Sequence, residues 1–398
     1  MQKWYSIKVQ IVTIITQLTD RSKKTKKDAD MSIRENFRYA ACLCLAMLTA
    51  AAQAQEEKVL NIYNWSDYIG PDTVSNFEKE TGIKVRYDVY DSNEVLNAKL
   101  SAGNTGYDIV VPSVNWAPLQ IKAGLLRELD KRQLPNLAYV DPQLQAMLAR
   151  IDTDNRHLVT WLWGYTTLGI NVDKVRAALG NLPMPANSWD LLFDSKYAAR
   201  LQSCGISVLD SPSEVLPPAL LYAGKPAYSK APADYQAAGQ LLKTIRPYIG
   251  LFSGSGYIND LANGSICLAL GWSGDINIAR QRAIAAGNGV HIEALPPRNG
   301  STMVLDAMAI PADAPHPNNA LKWINYILRP QVQAGLTNQV YYANASLQSA
   351  PYVAPALAAN TSLFLSADDK RRLIVPEPYS LPIRRLVSRT YTRFKTGF

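Results

Sequence analysis

The chain of 398 residues is 47% apolar and 19% charged, which provides enough apolar material for two ordinary cores and excludes a disordered protein. Its formal net charge of +8 would suit a polyanion-binding protein if the charge were spread along the chain. Residues 1–54 carry nine basic and four acidic residues, so the remainder holds 32 basic and 29 acidic residues and gives no support for nucleic-acid binding.

The N-terminal segment has the pattern of a secretory leader. After Met31, two arginines precede an apolar run that ends at the small-x-small sequence Ala52-Gln53-Ala54, a site for signal peptidase. We expect residues 1–30 to be a non-genuine extension and 31–54 a signal peptide, so that a periplasmic protein begins near Gln55. A longer N-terminal membrane anchor is the alternative.

Only two cysteines would remain after removal of this leader. Cys204 and Cys267 can pair in an oxidising compartment, closing a loop of about 60 residues that would stabilise the fold by about 3–4 kcal/mol. The 3 histidines are scattered without the spacing of metal ligands. Neither a metal nor a cofactor is therefore expected.

The remaining chain alternates short apolar runs with helix-like segments, a pattern that favours α/β architecture with parallel strands. The predicted strands are Val59–Tyr63, Lys84–Val89, Asp108–Pro112, Leu158–Gly164, Ile206–Leu209 and Ile266–Gly271. The predicted helices are Thr73–Thr81, Glu94–Ala102, Val172–Leu179, Tyr235–Ile245, Ile258–Asn263 and Pro317–Leu328. These strands and helices are too many for one compact sheet, and no long linker separates them. We expect two lobes with short hinge-like connections, formed by residues 55–163 with about 288–345 and by 164–287 with about 346–398.

Two stretches place an indole near a carboxylate after an apolar run: Asn64-Trp65-Ser66-Asp67-Tyr68 and Gly271-Trp272-Ser273-Gly274-Asp275. An aromatic face attracts a cation, and a carboxylate supplies charge-assisted hydrogen bonds. Ser113 and Asp306 are also predicted to follow strands, where ligands bind in open α/β sheets. A single Trp or Asp at such a place more often serves packing or helix capping, so the recurrence carries the prediction of a box for an organic ammonium.

Catalytic patterns are weak. Ser273 is not part of a G-x-S-x-G elbow because Asp275 occupies the position of the second glycine. The glycine-rich segment 250–256 lacks a Walker lysine and Rossmann spacing, which indicates a loop. We therefore expect a protein that is not an enzyme, with a secreted enzyme on the same scaffold as the alternative.

Several motifs carry a specific family resemblance. They include Asn61–Ile69, Phe77–Val85, Asp91–Glu94, Asp108–Ser113, Asn171–Val175, Ser188–Asp190, Tyr257–Gly264, Asn325–Pro330 and Tyr342–Ala345. From about Val59 to the C-terminus the chain closely resembles the periplasmic putrescine/spermidine-binding proteins of polyamine ABC importers. The resemblance implies a two-lobed periplasmic-binding-protein fold (type II), with doubly wound sheets joined by hinge strands and a ligand cleft between the lobes. It also implies a monomer that closes around a linear polyamine, putrescine above all, and delivers it to an inner-membrane permease.

The resemblance assigns residues to this cleft. The aromatic walls would be Trp65, Tyr68, Trp272 and Tyr342, the acidic ligands Asp67, Glu214, Asp275 and Asp306, and the hydrogen-bonding neighbours Ser66 and Ser113. Cys204 and Cys267 match the disulfide pair of the family.

Departures from the family pattern affect ligand choice. Val304 stands where family members tend to carry an aromatic residue, and Trp116 or Tyr379 could replace that ring, although core or surface packing explains either equally well. Another cationic or zwitterionic solute, such as an amino-acid derivative, is therefore an alternative ligand. It would need an arginine for its carboxylate, and Arg384 and Arg385 have no predicted position. A receptor that senses the closed form would be an alternative to the permease.

Overall fold

The structure, a computed structural model, describes residues 56–296 and 299–397. The predicted extension 1–30 and signal peptide 31–54 lie outside these residues. The described residues from Lys58 onwards form one compact unit, and the predicted lobe boundaries stay a prediction. Within the described ranges, no helix is both long and apolar enough to cross a membrane.

The strands of the described part of the chain are β1 (Val59–Trp65), β2 (Lys84–Tyr90), β3 (Ile109–Val110), β4 (Val159–Asn171), β5 (Ile206–Leu209), β6 (Leu251–Ser253), β7 (Leu268–Trp272), β8 (Ile292–Ala294), β9 (Ser301–Met308), β10 (Ala343–Asn344) and β11 (Leu373–Ile374). The first eight α-helices are α1 (Pro71–Thr81), α2 (Asn93–Ala102), α3 (Ala117–Lys122), α4 (Pro142–Ala149), α5 (Val172–Leu179), α6 (Asp190–Phe193), α7 (Ser195–Leu201) and α8 (Pro212–Tyr222). The others are α9 (Pro232–Ile245), α10 (Tyr257–Ala262), α11 (Ser273–Ala286), α12 (Pro317–Ile327), α13 (Pro330–Val340), α14 (Pro355–Ala358), α15 (Ala367–Arg371) and α16 (Leu381–Thr396).

Two sheets organise these elements. The smaller sheet is parallel, in the order β2-β1-β3, and the larger runs β11-β9-β4-β7-β5-β6, with β8 and β10 also paired to β4. The predicted parallel arrangement is found in the smaller sheet and in β6-β5-β7. By contrast, β4 runs antiparallel to β7, β8, β9 and β10, so the larger sheet is mixed.

The long strand β4 connects the two parts of the larger sheet. Its first half, Val159–Tyr165, pairs with β9, and its second half, Thr166–Ile170, pairs with β7. Twelve of its 13 residues are buried, which is expected of a strand covered on both faces. Because it carries both sets of strands, β4 fixes the position of the strand ends around it.

A disulfide bond lies at the beginning of the strands β5 and β7. Cys204 is bonded to Cys267 with a Cα–Cα distance of 5.4 Å, and this confirms the predicted pair. Cys267 is fully buried directly before β7, while Cys204 ends the 3-10 turn before β5. The bond therefore ties the beginnings of two neighbouring parallel strands together.

Candidate functional site

The indole of Trp65 is fixed at the end of β1. Its Nε1 donates to the backbone oxygen of Val111 at 2.9 Å, and its ring lies 4.7 Å from that of Tyr90. The backbone nitrogen of Ser66 donates to Tyr90 across 3.0 Å, so the chain leaving β1 stays against β2. Both the strand and its neighbour therefore hold Trp65 in one orientation.

Asp306 lies at the centre of a hydrogen-bonded group. The hydroxyl of Tyr68 donates to its Oδ2 at 3.0 Å, and that of Ser113 donates to its Oδ1 at 2.6 Å. Asn93 in turn donates to Ser113 Oγ at 3.0 Å. The prediction that Asp306 follows a strand is wrong, because it lies inside β9 and forms an isolated β-bridge with Ser113. That bridge brings the segment after β3 next to β9.

Asp275 is held by two phenols. It lies in the first turn of α11, and its Oδ2 and Oδ1 each accept a hydrogen bond of 2.7 Å, from Tyr257 and Tyr342 respectively. Gly274 allows this approach, because a Cβ atom there would lie 2.0 Å from the Tyr342 ring. Close contact between α11 and Tyr342 therefore depends on glycine.

Four aromatic rings meet around the two aspartates. The rings of Trp65 and Trp272 are 5.5 Å apart and those of Tyr68 and Tyr342 are 4.6 Å apart, both edge to face. A cavity lies among them. It is lined by Trp65, Ser66, Tyr68, Tyr90, Asp91, Ser113, Gly254, Ser255, Trp272, Asp275, Val304, Asp306 and Tyr342.

Burial makes the carboxylates here poor acids. Desolvation raises the pKa of Asp275 to about 6 and the pKa values of Asp306 and Glu214 to about 7, against the hydrogen bonds that favour ionisation. Within the described residues, none of these three forms an ion pair with a Lys, Arg or His side chain within 4.0 Å. A bound cation would stabilise their charged forms.

Two predicted acidic ligands do not line the cavity. Asp67 is exposed and pairs with Arg282, with 2.6 Å between Oδ1 and Nη2. Glu214 is buried behind an indole, where its Oε2 accepts hydrogen bonds of 3.2 Å from Trp272 Nε1 and from Thr166 Oγ1. Glu214 therefore orients a wall of the cavity, while a direct role for either acid stays a prediction.

Val304, which stands where family members tend to carry an aromatic residue, lines the cavity. The proposed substitutes do not line it. Trp116 stacks on Arg384, with 3.9 Å between the guanidinium carbon and the ring centre, and Tyr379 lies 5.6 Å from the ring of Tyr228.

Sequence analysis missed several residues at the site. Tyr90, Asp91, Gly254 and Ser255 line the cavity, and Tyr257 supports Asp275 from behind. The glycine-rich segment 250–256 is not only a loop, since it contains β6, and Gly254 and Ser255 come directly after this strand, where ligands bind in parallel sheets. That position was the available signal.

Comparisons with known proteins point to one family. The family model described as "Bacterial extracellular solute-binding protein" matches residues 72–364. The chain is 45% identical to the putrescine-binding periplasmic protein PotF of Escherichia coli (strain K12), over 89% of this chain and 95% of that protein. It is 43% identical to the putrescine-binding periplasmic protein SpuD of Pseudomonas aeruginosa (strain UCBPP-PA14), over 87% of this chain and 94% of that one.

A solved structure gives the same result for the fold. The putative spermidine/putrescine ABC transporter from Listeria monocytogenes superposes with a TM-score of 0.75 at 28% identity, covering 85% of this chain and 99% of that chain. This likeness confirms the predicted α/β fold class of the periplasmic binding proteins. The chain therefore belongs to the family of bacterial extracellular solute-binding proteins.

Proposed function

We propose that this protein binds a linear polyamine, putrescine in the first place, in the cavity between Trp65, Tyr68, Trp272 and Tyr342. One observation carries the proposal: two buried carboxylates, Asp275 and Asp306, face an aromatic cavity and have no ion-pair partner among the described residues. A diamine supplies two cations joined by methylenes. Its ammonium groups would find carboxylate and hydroxyl acceptors, and its methylenes would lie against the rings.

The relatives support this ligand class, since PotF and SpuD are both putrescine-binding by name. We propose the same cellular role for this chain: a periplasmic binding protein, acting as a monomer, that hands its solute to an inner-membrane ABC permease without chemical turnover. In the site itself, the phenols of Tyr257 and Tyr342 each donate a hydrogen bond to Asp275. The carboxylate is thereby oriented as an acceptor for an ammonium.

Closure would use β4 and β9 as hinge strands. Two lobes are predicted from the sequence: 55–163 with about 288–345, and 164–287 with about 346–398. Their boundary crosses β4 close to Gly164 and Tyr165. Because β8 pairs with the second half of β4, we propose that the return to the first lobe lies within β9 and not at 288. Asp275 and Asp306 would then come from elements on opposite sides of the cleft.

The test is isothermal titration of the chain starting at Gln55, unfolded and refolded to remove any ligand carried through purification. Putrescine, cadaverine, agmatine, spermidine and spermine are titrated separately. We expect submicromolar binding of one or two of them, and recovery of the amine unchanged after release. Absence of heat with all five would contradict the proposal, and recovery of a modified amine would indicate an enzyme.

A further inference from the structure

A second polar group lies next to the cavity, on the side of Ser113 and Trp272. It consists of Glu94, Ser211, Ser213, Glu214 and Arg384, and is called here the Glu94–Glu214 cluster. Two hydroxyls lie beside Glu94: Ser213 Oγ is 3.4 Å from one of its oxygens, and Ser211 Oγ is 3.5 Å from the other. Glu214 directly follows Ser213 and accepts the hydrogen bond of Trp272.

Arg384 reaches the cluster from the C-terminal helix α16. Its guanidinium carbon lies 3.9 Å from the centre of the Trp116 ring, so the guanidinium stacks on that ring. The backbone nitrogen of Trp116 donates to Ser113 at 3.0 Å, and Ser113 lines the cavity. The cluster is therefore linked to two residues that line the cavity. Glu214 contacts Trp272 directly, and Arg384 is connected to Ser113 through Trp116.

Arg384 and Glu94 act on each other's ionisation. Burial, reinforced by the charge of Glu214, raises the pKa of Glu94 to about 7, and the charge of Arg384 acts in the opposite direction. Desolvation lowers the pKa of Arg384, while Glu94 raises it. Its Nη1 is buried and has no hydrogen-bond partner among the described residues. Arg384 is therefore a half-buried cation, and Glu94 is the acid whose charge acts on it.

We propose that Arg384 is a specificity-determining residue that limits the ligand to diamines. Its guanidinium supplies a positive charge beside Glu94 and covers the face of Trp116, so a third ligand ammonium extending from the cavity towards these acids would meet a like charge. A diamine, which ends at Asp275 and Asp306, would not. This inference rests on the proposed function and names its substrate class.

A carboxylate of a zwitterionic ligand could also bind an arginine. The surroundings of Arg384 disfavour that ligand, because Glu94 and Glu214 would repel a further negative charge. The experiment therefore includes γ-aminobutyrate, an ω-amino acid of the same chain length as putrescine.

The test compares the affinities for putrescine, spermidine and γ-aminobutyrate in the wild type, Arg384→Gln, Arg384→Lys and Arg385→Gln. Arg385 is the matched control, since it is the exposed neighbour on the same helix. We expect the wild type to bind putrescine at least tenfold more tightly than spermidine. In Arg384→Gln the ratio should shift at least tenfold towards spermidine, and in Arg384→Lys and Arg385→Gln it should stay within about twofold.

Thermal melting of each variant shows whether it is folded. If Arg384→Gln does not fold, Arg384→Met replaces it and keeps an aliphatic side chain against Trp116. An unchanged ratio in the folded variant, the same shift in Arg385→Gln, or γ-aminobutyrate binding that depends on Arg384 would overturn the inference. These results leave the proposed function intact if the wild type binds putrescine, whereas a wild type that binds no amine at all refutes the proposed function itself.

Discussion

The hydroxyl of Tyr342 donates a hydrogen bond of 2.7 Å to Oδ1 of Asp275, although 67 residues separate the two in the chain. Tyr257 donates to the other oxygen at the same distance. The carboxylate is thus oriented by two buried phenols, and no basic side chain lies within ion-pair distance of it in the described part of the chain. A cation bound here would be recognised by a preorganised acceptor.

Replacing Asp275 by Ala should weaken putrescine binding more than tenfold, because a charge-assisted contact is lost and the two phenols lose their acceptor. Isothermal titration measures the effect. Glu293→Gln is the matched control, since it removes one carboxylate from an exposed position of β8 and should leave the affinity unchanged. Equal affinities of Asp275→Ala and the wild type would remove Asp275 from the site.

Gly274→Ala should disrupt the same contact without removing a charge. A Cβ atom would lie 2.0 Å from the ring of Tyr342, so the ring must move away from Asp275. We expect a loss of affinity of more than tenfold and a decrease in the free energy of unfolding of about 1–3 kcal/mol. The control is Gly335→Ala in α13, where a Cβ atom meets nothing within 4 Å and helix propensity should stabilise by up to about 1 kcal/mol. Similar effects of both substitutions would contradict this explanation.

The stability of the ligand-free protein should fall as the pH rises from 5 to 8. The pKa values of Asp275, Asp306 and Glu214 are raised by burial from ordinary values of 3.8, 3.8 and 4.5 to about 6, 7 and 7. Between the ordinary and the raised values the folded protein binds more protons than the unfolded chain, so the free energy of unfolding decreases with pH. Putrescine should favour the ionised forms, and the rise in Tm that it causes should grow over the same range.

Thermal melting at pH 5, 6, 7 and 8, with and without putrescine, measures how the Tm of the ligand-free protein and the increase in Tm caused by putrescine depend on pH. The double variant Asp275→Asn/Asp306→Asn should show a flatter pH dependence without ligand. A Tm that rises with pH in the ligand-free wild type, or a putrescine effect that shrinks, would be the contrary result.

Val304→Phe should change the order of affinities among putrescine, cadaverine, agmatine and spermidine. Val304 lines the cavity, so a larger ring there would fill space beside the ligand methylenes. Titration of the four amines against both proteins gives the two rankings. An identical ranking would show that this position does not determine ligand preference.

Removal of the disulfide should lower stability without abolishing binding. The bond between Cys204 and Cys267 spans a separation of 63 residues, for which loop-closure entropy corresponds to about 4 kcal/mol. The double variant Cys204→Ser/Cys267→Ser avoids a free thiol, and urea unfolding compares it with the oxidised wild type. A difference below about 1 kcal/mol would mean that the unfolded chain gains little freedom when the bond is absent.

Local pattern predicted many elements well. The predicted bounds of β5 and α5 are those of the structure, and β1, α1 and β2 differ by one or two residues at an end, because strand and helix periodicities and the glycine at position 82 mark them locally. The helix α8 was missed since it contains Pro217 and Pro218. The helix α11 was missed because its first half is buried on all sides and shows no amphipathic period.

The sequence by itself determined the class of site: indoles, phenols and carboxylates recur after strands, and this combination is chemically suited to an organic cation. Only the tertiary structure decided which acids face the cavity. Asp67 and Asp275 occupy similar places in similar motifs, yet Asp67 pairs with Arg282 at the surface while Asp275 is buried between two phenols. The physical reason is that burial and counter-ions come from distant segments, which no local pattern contains.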